Sequence, residues 1–492
     1  MQPNDNPLAW PKQADKVRLQ QYTHNDLLYR GKHFEAFALK ISDPKYNKEY
    51  ERLRYIVANF PGLMSKILAD MLFGESVSFD LEDENNQKYV DALIHNNDLM
   101  NQLYESAIIN SRRGFDVFKT RIGKRNPLDP NAPDEVIIEQ IGADKYFPVF
   151  DSKAARNVVV QDVIAVTFEQ DGKCYLHKEI HTPGRIEHEV YVYDPKSERI
   201  ISTVNPEEFG YPPVELTKVK QSLVKAIPNY RDGEFWGPSD YADLETLFYA
   251  LANRLTKTDN ILDKHSDPIL AVPPGVIDEQ GKVKKEQLGM FEVDTENPGF
   301  NKPEYIVWNA NLESAFKQID KLIELLFMFS EIAPASVGGD KGGQAESGRA
   351  LKFKLLSTIR KRNRKISYYD QAIKEMLFTA QDLGKAWSVT LDGVKPTAPE
   401  IPKIKWGDGV INDQTELTDM AVQRVEAGLS SRADEIQRLD DVTKEEAERK
   451  VEEIDAEQNP TVPVVTNNNS GNLDTNGSND PNAVVDNQDQ GA

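Results

Sequence analysis

The hydrophobic positions along this chain change period several times, and the changes predict its layout. Val17 to Tyr29 repeats apolar residues at helical spacing and stops at Gly31. In "EYERLRYIVANFPGLMSKILADMLFGE", Leu53, Ile56, Val57, Leu63, Ile67, Leu68 and Met71 keep that period, with a break expected at Pro61 and a stop at Gly74. Two more helices are expected from Asn85 to Asn96 and from Leu99 to Ser111. From Gly114 to Pro213 the period shortens to two. "FDVFKTRI", "EVIIEQI", "VVVQDVIAVTFEQ", "KCYLHKEI" and "IEHEVYVYD" predict an antiparallel, strand-rich region, and "TPGR" (Thr182 to Arg185) places Pro and Gly for a type II turn.

Helical periodicity then returns. Ser239 is expected to cap a helix with Asp240 and Asp243 in its first turn, where the helix dipole favours acids. Its stripe is Leu244, Leu247, Phe248, Leu251, Leu255 and Leu262, and it should stop before Asp267-Pro268 after roughly 40 Å. A mixed segment follows, and a second helix from Leu312 to Glu331 carries Leu312, Phe316, Ile319, Ile323 and Leu326. Two long helices bracketing a small segment predict an antiparallel hairpin with a compact tip. After a glycine-rich loop, one pattern runs from Ser347 to Trp387, roughly 60 Å if unbroken. Its stripe includes Leu351, Leu355, Ile359, Ile366, Tyr369, Ile373, Met376, Leu377, Leu383 and Trp387.

A Pro-rich, strand-like passage from Val389 to Trp406 precedes three acidic amphipathic helices. They are Gln414 to Ala427, Arg432 to Leu439, and Lys444 to Glu457 with a Thr443/Glu446 capping box. From Asn459 the chain is rich in Asn, Asp, Gly and Ser and has no Lys or Arg, so disorder is expected. The fold class is therefore α+β with a disordered C-terminal tail.

Composition narrows the function. The 492 residues suffice for two to four domains, and 39% hydrophobic with 28% charged residues is ordinary for a globular protein. A net charge of -21 argues against a protein that simply coats nucleic acid, which needs a basic face. The single cysteine, Cys174, excludes an internal disulfide and a Cys-rich zinc site. No signal peptide is read at the N-terminus. The longest greasy run, Leu322 to Phe329, contains Glu324 and falls far short of the about 20 residues of a membrane span.

Candidate chemistry was tested against simpler readings. The loop from Gly338 to Gly343 is followed by Gln344-Ala345, so it lacks the G-x-x-x-x-G-K-[ST] of a phosphate-binding loop. A dinucleotide fingerprint would need a preceding strand, and a helix precedes it. A loop loosened by glycine, with Lys341 its one base, is the better reading. In "HKEIH", His177, Glu179 and His181 would share one face of a strand. A loose metal cluster could form there, but a solvated sheet face explains the residues more simply, and no metal is expected. "DTNGSND" (Asp474 to Asp480) lacks the distal glutamate of a calcium loop. No nucleophile sits beside a base, so neither catalysis nor a cofactor is expected. Arg349 to Lys365 holds eight Lys or Arg residues. Spread around a helix, they fit ion pairing with acidic neighbours better than one flat face for DNA phosphates.

The order of elements carries more than any one motif. "GPSDYADLETLFYALANRLTKTDNILDKHSDPIL", a mixed segment, a helix, a glycine loop and "SGRALKFKLLSTIRKRNRK" resemble the portal proteins of tailed double-stranded DNA bacteriophages, most of all the siphophage-type branch. "ANFPGLMSKILADMLFGE" and "AIINSRRGFDVFK" are similar to the N-terminal half of that family, and the likeness spans Val17 to Gln458. The resemblance implies a ring of about twelve subunits at one capsid vertex, a channel for genome packaging and ejection. It implies a β-rich N-terminal wing at 1–238, stem helices at 239–266 and 310–332, a clip at 267–309 and a tunnel loop at 333–346. The long wing helix with its strand would be 347–410, the helical crown 411–458 and the tail 459–492. DNA contacts would fall on Lys341, Arg349 and Lys352, and partner contacts in the clip on Lys282, Lys284, Lys285 and Phe291. Implied partners are other copies of the chain, double-stranded DNA, the terminase large subunit, head–tail adaptors, and major capsid and scaffolding proteins, with no membrane. The implied location is the virion, with assembly in the host cytoplasm. A packaging motor component, a minor capsid scaffold and an adaptor are the competing readings; the missing phosphate loop and the chain length count against them.

Overall fold

The computed structural model describes residues 8–38, 55–75, 77–126, 128–154, 156–266, 269–271, 304–306, 312–338, 348–407, 409, 414–440 and 442–458. The chain divides into two compact units, residues 1–411 and 412–492. Among the described residues no helix is long and apolar enough to cross a membrane.

The first unit opens with α1 (Gln13–Tyr29), the short α2 (His33–Ala36) and α3 (Phe60–Phe73). Pro61 starts α3 where a break was expected. Proline lacks the amide hydrogen that a first-turn residue leaves unpaired anyway, and the Asn59 side chain accepts from Gly62 N at 3.1 Å. Strand β1 (Ser78–Asp80) leads to α4 (Glu84–Asn96), capped by Asp83, and α5 (Leu99–Arg113), ended by Gly114 at φ 79°.

Strands β2 (Phe115–Lys124), β3 (Asp134–Gln140), β4 (Val149–Phe150), β5 (Val159–Gln170), β6 (Lys173–Thr182), β7 (Arg185–Asp194), β8 (Arg199–Val204), β9 (Val214–Leu216) and β10 (Val224–Pro228) follow. They form two antiparallel sheets. One has the order β10-β2-β3; the other runs β4-β5-β6-β7-β8, with β9 also on β7. Gly184 takes φ 87° between β6 and β7, as its turn position requires.

The helix expected from Ser239 begins only at Glu245: α6 spans Glu245–Ser266. Strand β11 (Ile269–Ala271) then pairs antiparallel with β12 (Glu304–Ile306), which precedes α7 (Leu312–Ser330). The pairing folds α6 and α7 into a hairpin. The rest of the mixed segment between them, and residues 339–347, lie outside the described residues.

The long helical pattern divides at Leu355 into α8 (Gly348–Lys354) and α9 (Leu356–Trp387). Leu355 sits at φ -86°, ψ 1°, and its buried side chain packs with Ala333. Backbone bonds from Leu355 N to Leu351 O (3.0 Å) and from Ile359 N to Leu355 O (2.9 Å) carry the ladder across. Tyr369, Ala372, Ile373, Met376, Leu377 and Ala380 of α9 enter the central core with α3, α4, α5 and the β2-β3 hairpin. Strand β13 (Lys403–Lys405) closes on β1.

In the second unit, α10 (Gln414–Glu426), α11 (Arg432–Asp440) and α12 (Lys444–Gln458) match the expected helices within a residue or so at their ends. Thr443 Oγ1 accepts from Glu446 N at 3.3 Å, and Thr443 N donates to Glu446 Oε2 at 3.1 Å, so the capping box forms. The expected tail from Asn459 lies outside the described residues.

Candidate functional site

The basic run converges on one acid. Asp240 was expected in a first helical turn; instead residues 240–244 form a turn ahead of α6, and the Asp240 side chain is 1% exposed. Lys361 Nζ lies 3.0 Å from its Oδ1 and Lys365 Nζ 2.7 Å from its Oδ2. Asn229 Nδ2 donates to Oδ1 at 3.1 Å, and Lys365 also donates to Asn229 Oδ1. Lys361 donates as well to the Ser330 carbonyl at the end of α7, at 3.0 Å. The turn ahead of α6, the end of α7 and the first third of α9 are thereby held at one joint.

Close backbone approach makes the joint possible. The Asp240 amide donates to Ser111 O at 2.8 Å, and Ser239 Oγ accepts from Tyr241 N at 3.0 Å. A side chain on Gly114, already at φ 79°, would bring a Cβ within 2.7 Å of the Pro238 carbonyl carbon; one on Gly237 would lie 2.6 Å from the carbonyls of Gly114 and Tyr230. This explains the glycine of "GPSD". Burial alone would raise the Asp240 carboxyl, but the ammoniums of Lys361 and Lys365 outweigh it and hold it well below the usual carboxylate range. Burial, partly offset by Asp240, brings the Lys365 ammonium down to about 8.

Other residues near Lys361 and Lys365 are also engaged within the chain. Arg362, buried, donates to the Met71 and Gly407 carbonyls. Arg364 Nη2 donates to both Glu331 oxygens, at 2.7 and 2.6 Å. Thr358 Oγ1 accepts from Ala333 N at 2.8 Å. Ion pairing was the expected role, and Lys361, Arg362 and Lys365 fulfil it or its carbonyl equivalent in a buried setting. A polar cavity of about 290 Å³ lies beside the joint, lined by Tyr230, Asp243, Glu331 and Arg364 among others. With its ionised groups paired and no nucleophile against a base, the arrangement suits mechanical coupling of three helices.

Of the expected contact residues, Lys341, Lys282, Lys284, Lys285 and Phe291 lie outside the described residues. Arg349 belongs to the backbone of α8, and Lys352 is half-buried there. Asp240 and Asn229 are the joint residues that sequence reasoning missed.

The strand motif "HKEIH" needs correction. His177 and His181 are 6% and 2% exposed, so the face is buried, not solvated. Tyr211 stacks on His177 with ring centroids 4.0 Å apart, and Lys119 of β2 pairs with Glu179 at 3.0 Å, joining the two sheets.

The family model described as phage portal protein, SPP1 Gp6-like, matches residues 8–460. The chain belongs to this portal family. Two solved structures are similar at low identity. The neck of a native GTA particle computed with C12 symmetry is 11% identical, with a TM-score of 0.40. The neck of an empty GTA particle computed with C6 symmetry is 13% identical, with a TM-score of 0.39. Each comparison covers 81% of this chain and 94% of the other. No curated protein matches. The portal family is a structural one, and the α+β fold with its long helices agrees with that membership.

Proposed function

We propose that about twelve copies of this chain close into a ring at one capsid vertex, around a channel through which double-stranded DNA is packaged and ejected. The observation that carries the reading is the family match across residues 8–460. In this reading α6 and α7 are the stem, 267–309 the clip that docks terminase and head–tail adaptors, 333–346 the tunnel loop with Lys341 toward DNA, and 411–458 the crown. Arg349 and Lys352 would flank the DNA path at the start of the long helix.

The α7 surface supports ring formation. Ile319 and Leu326 are buried in the chain's own core, while Phe316, Ile323, Met328 and Phe329 are 37–60% exposed. A helix apolar on more than one side needs more than one partner, and a neighbouring copy would supply the second. Charge fits the cargo: about twelve chains at -21 each total roughly -250, a field that lets DNA slide where a basic lining would grip it.

Electron microscopy of the purified chain should show rings with a central hole, and Phe316→Glu should leave folded monomers. Monomers in the unmodified protein would overturn the reading. Within it, Lys341→Glu should reduce DNA packaged per head; unchanged packaging would remove Lys341 from the mechanism.

A further inference from the structure

A cluster apart from the helical joint has the chemistry of a metal site. On β6, His177 and Glu179 face the same side, and across the β6–β7 pairing His188 stands directly opposite Glu179. His177 Nε2 and His188 Nδ1 are 3.0 Å apart. One ligand atom from each of His177, Glu179 and His188 lies within 4.8 Å of the other two. We propose that His177 Nε2, His188 Nδ1 and Glu179 Oε1 bind one divalent transition-metal ion of borderline softness, Zn²⁺ by this donor set, with water completing the shell.

The distances suit it. The two rings lie within 12° of one plane and meet nitrogen to nitrogen in a hydrogen bond. Two imidazole nitrogens on a tetrahedral Zn²⁺, each at about 2.0–2.1 Å, stand about 3.3 Å apart, so an ion would replace the shared proton and both rings would swing until their lone pairs converge on it. Glu179 Oε2 is occupied by Lys119 at 3.0 Å and His181 Nε2 at 3.2 Å, which leaves Oε1 for an ion. His188 would bind through Nδ1 while its Nε2 faces Glu215 at 3.8 Å, the carboxylate–histidine–metal arrangement that orients a ligand ring. That Nε2 is buried without a hydrogen bond, as is His181 Nδ1. A cavity of about 80 Å³, lined by Glu179, His188 and Glu215 together with Lys119 and Arg121 but not by His177, opens beside two of the three ligands and would admit water to the shell.

Lys119 does not forbid a cation. It is shared with Glu139 at 3.2 Å, and Arg121 pairs with the same Glu139. Two cations therefore stand against Glu139, Glu179 and Glu215, a surplus of one negative charge. Two neutral imidazoles with one carboxylate select Zn²⁺ or Co²⁺ over Ca²⁺ or Mg²⁺, which prefer all-oxygen shells. An ion there would pin β6 to β7.

An acidic chain gathers cations on surface carboxylates, so the test must read the ligands. Untagged full-length protein, stripped with a chelator and loaded with one equivalent of Zn²⁺, should give an X-ray absorption signature of two imidazole nitrogens plus oxygens. Co²⁺ in place of Zn²⁺ should give visible bands that His188→Gln abolishes and a raised melting temperature that the same variant loses. An oxygen-only shell, or Co²⁺ bands unchanged in His188→Gln, would overturn the proposal. If His188→Gln fails to fold by circular dichroism, the absorption signature of the unmodified chain decides alone.

Discussion

Lys365 Nζ lies 2.7 Å from Asp240 Oδ2, with side chains 4% and 1% exposed, although 125 residues separate them in the chain. A buried ion pair adds little net stability over an apolar substitute, but losing one partner strands the other. Asp240→Asn strands two ammoniums, Lys361 and Lys365, and should destabilise the first unit by about 3–5 kcal/mol in chemical unfolding. Asp240→Leu combined with Lys361→Met and Lys365→Met should cost less than Asp240→Leu alone, because no ammonium is then left without its carboxylate. Losses that simply add when the substitutions are combined would show that the groups are not coupled.

His33 predicts an acid-sensitive step. It is 1% exposed, edge-on to Phe37 and beside Phe248 of α6. Burial pushes its imidazole down to about 4; the Leu28 carbonyl opposes the shift and His24 adds to it. The unfolded ring, near its ordinary value of about 6.5, takes up a proton first as pH falls. Stability from this group is therefore intact above pH about 6.5 and falls until pH about 4, by up to about 3 kcal/mol. His33→Gln should flatten that part of the stability-against-pH curve. An unchanged slope would place the acid sensitivity elsewhere.

How far the fold could be read from sequence depended on how local its causes are. Helix α12 was legible because the Thr443/Glu446 box acts within a turn of the end it sets; the ends of α4 and α5 were read less closely because Asp83 and Gly114, which set them, were not used as signals. Pro61 was misread because proline breaks a helix interior but suits a first turn, and nothing local marked residues 55–59 as lying outside a helix. Asp240 was misplaced for a similar reason: beside Ser239 it looks like a dipole-matched acid, and its partners Lys361 and Lys365 lie over a hundred residues away. "HKEIH" showed its strand face but not His188, which only the β6–β7 register brings opposite.

Gly384 puts local preference against packing. It lies inside α9, where alanine should gain about 1 kcal/mol of helix propensity. A Cβ there, however, would sit 2.9 Å from Tyr89 Cζ and closer still to its hydroxyl. Tyr89 is 0% exposed on α4, and its hydroxyl is buried without a hydrogen bond, so the ring has nowhere to retreat. Overpacking of this kind costs about 1–3 kcal/mol, enough to outweigh the propensity gain. Gly384→Ala should therefore lower the melting temperature. Tyr89→Phe removes an unpaired polar atom from the core, so alone it should be neutral or stabilising. Combined with Gly384→Ala it should recover part of the loss, because the nearest clashing atom is gone. Additive effects in the double variant, measured by thermal unfolding, would show that the two residues do not press on each other.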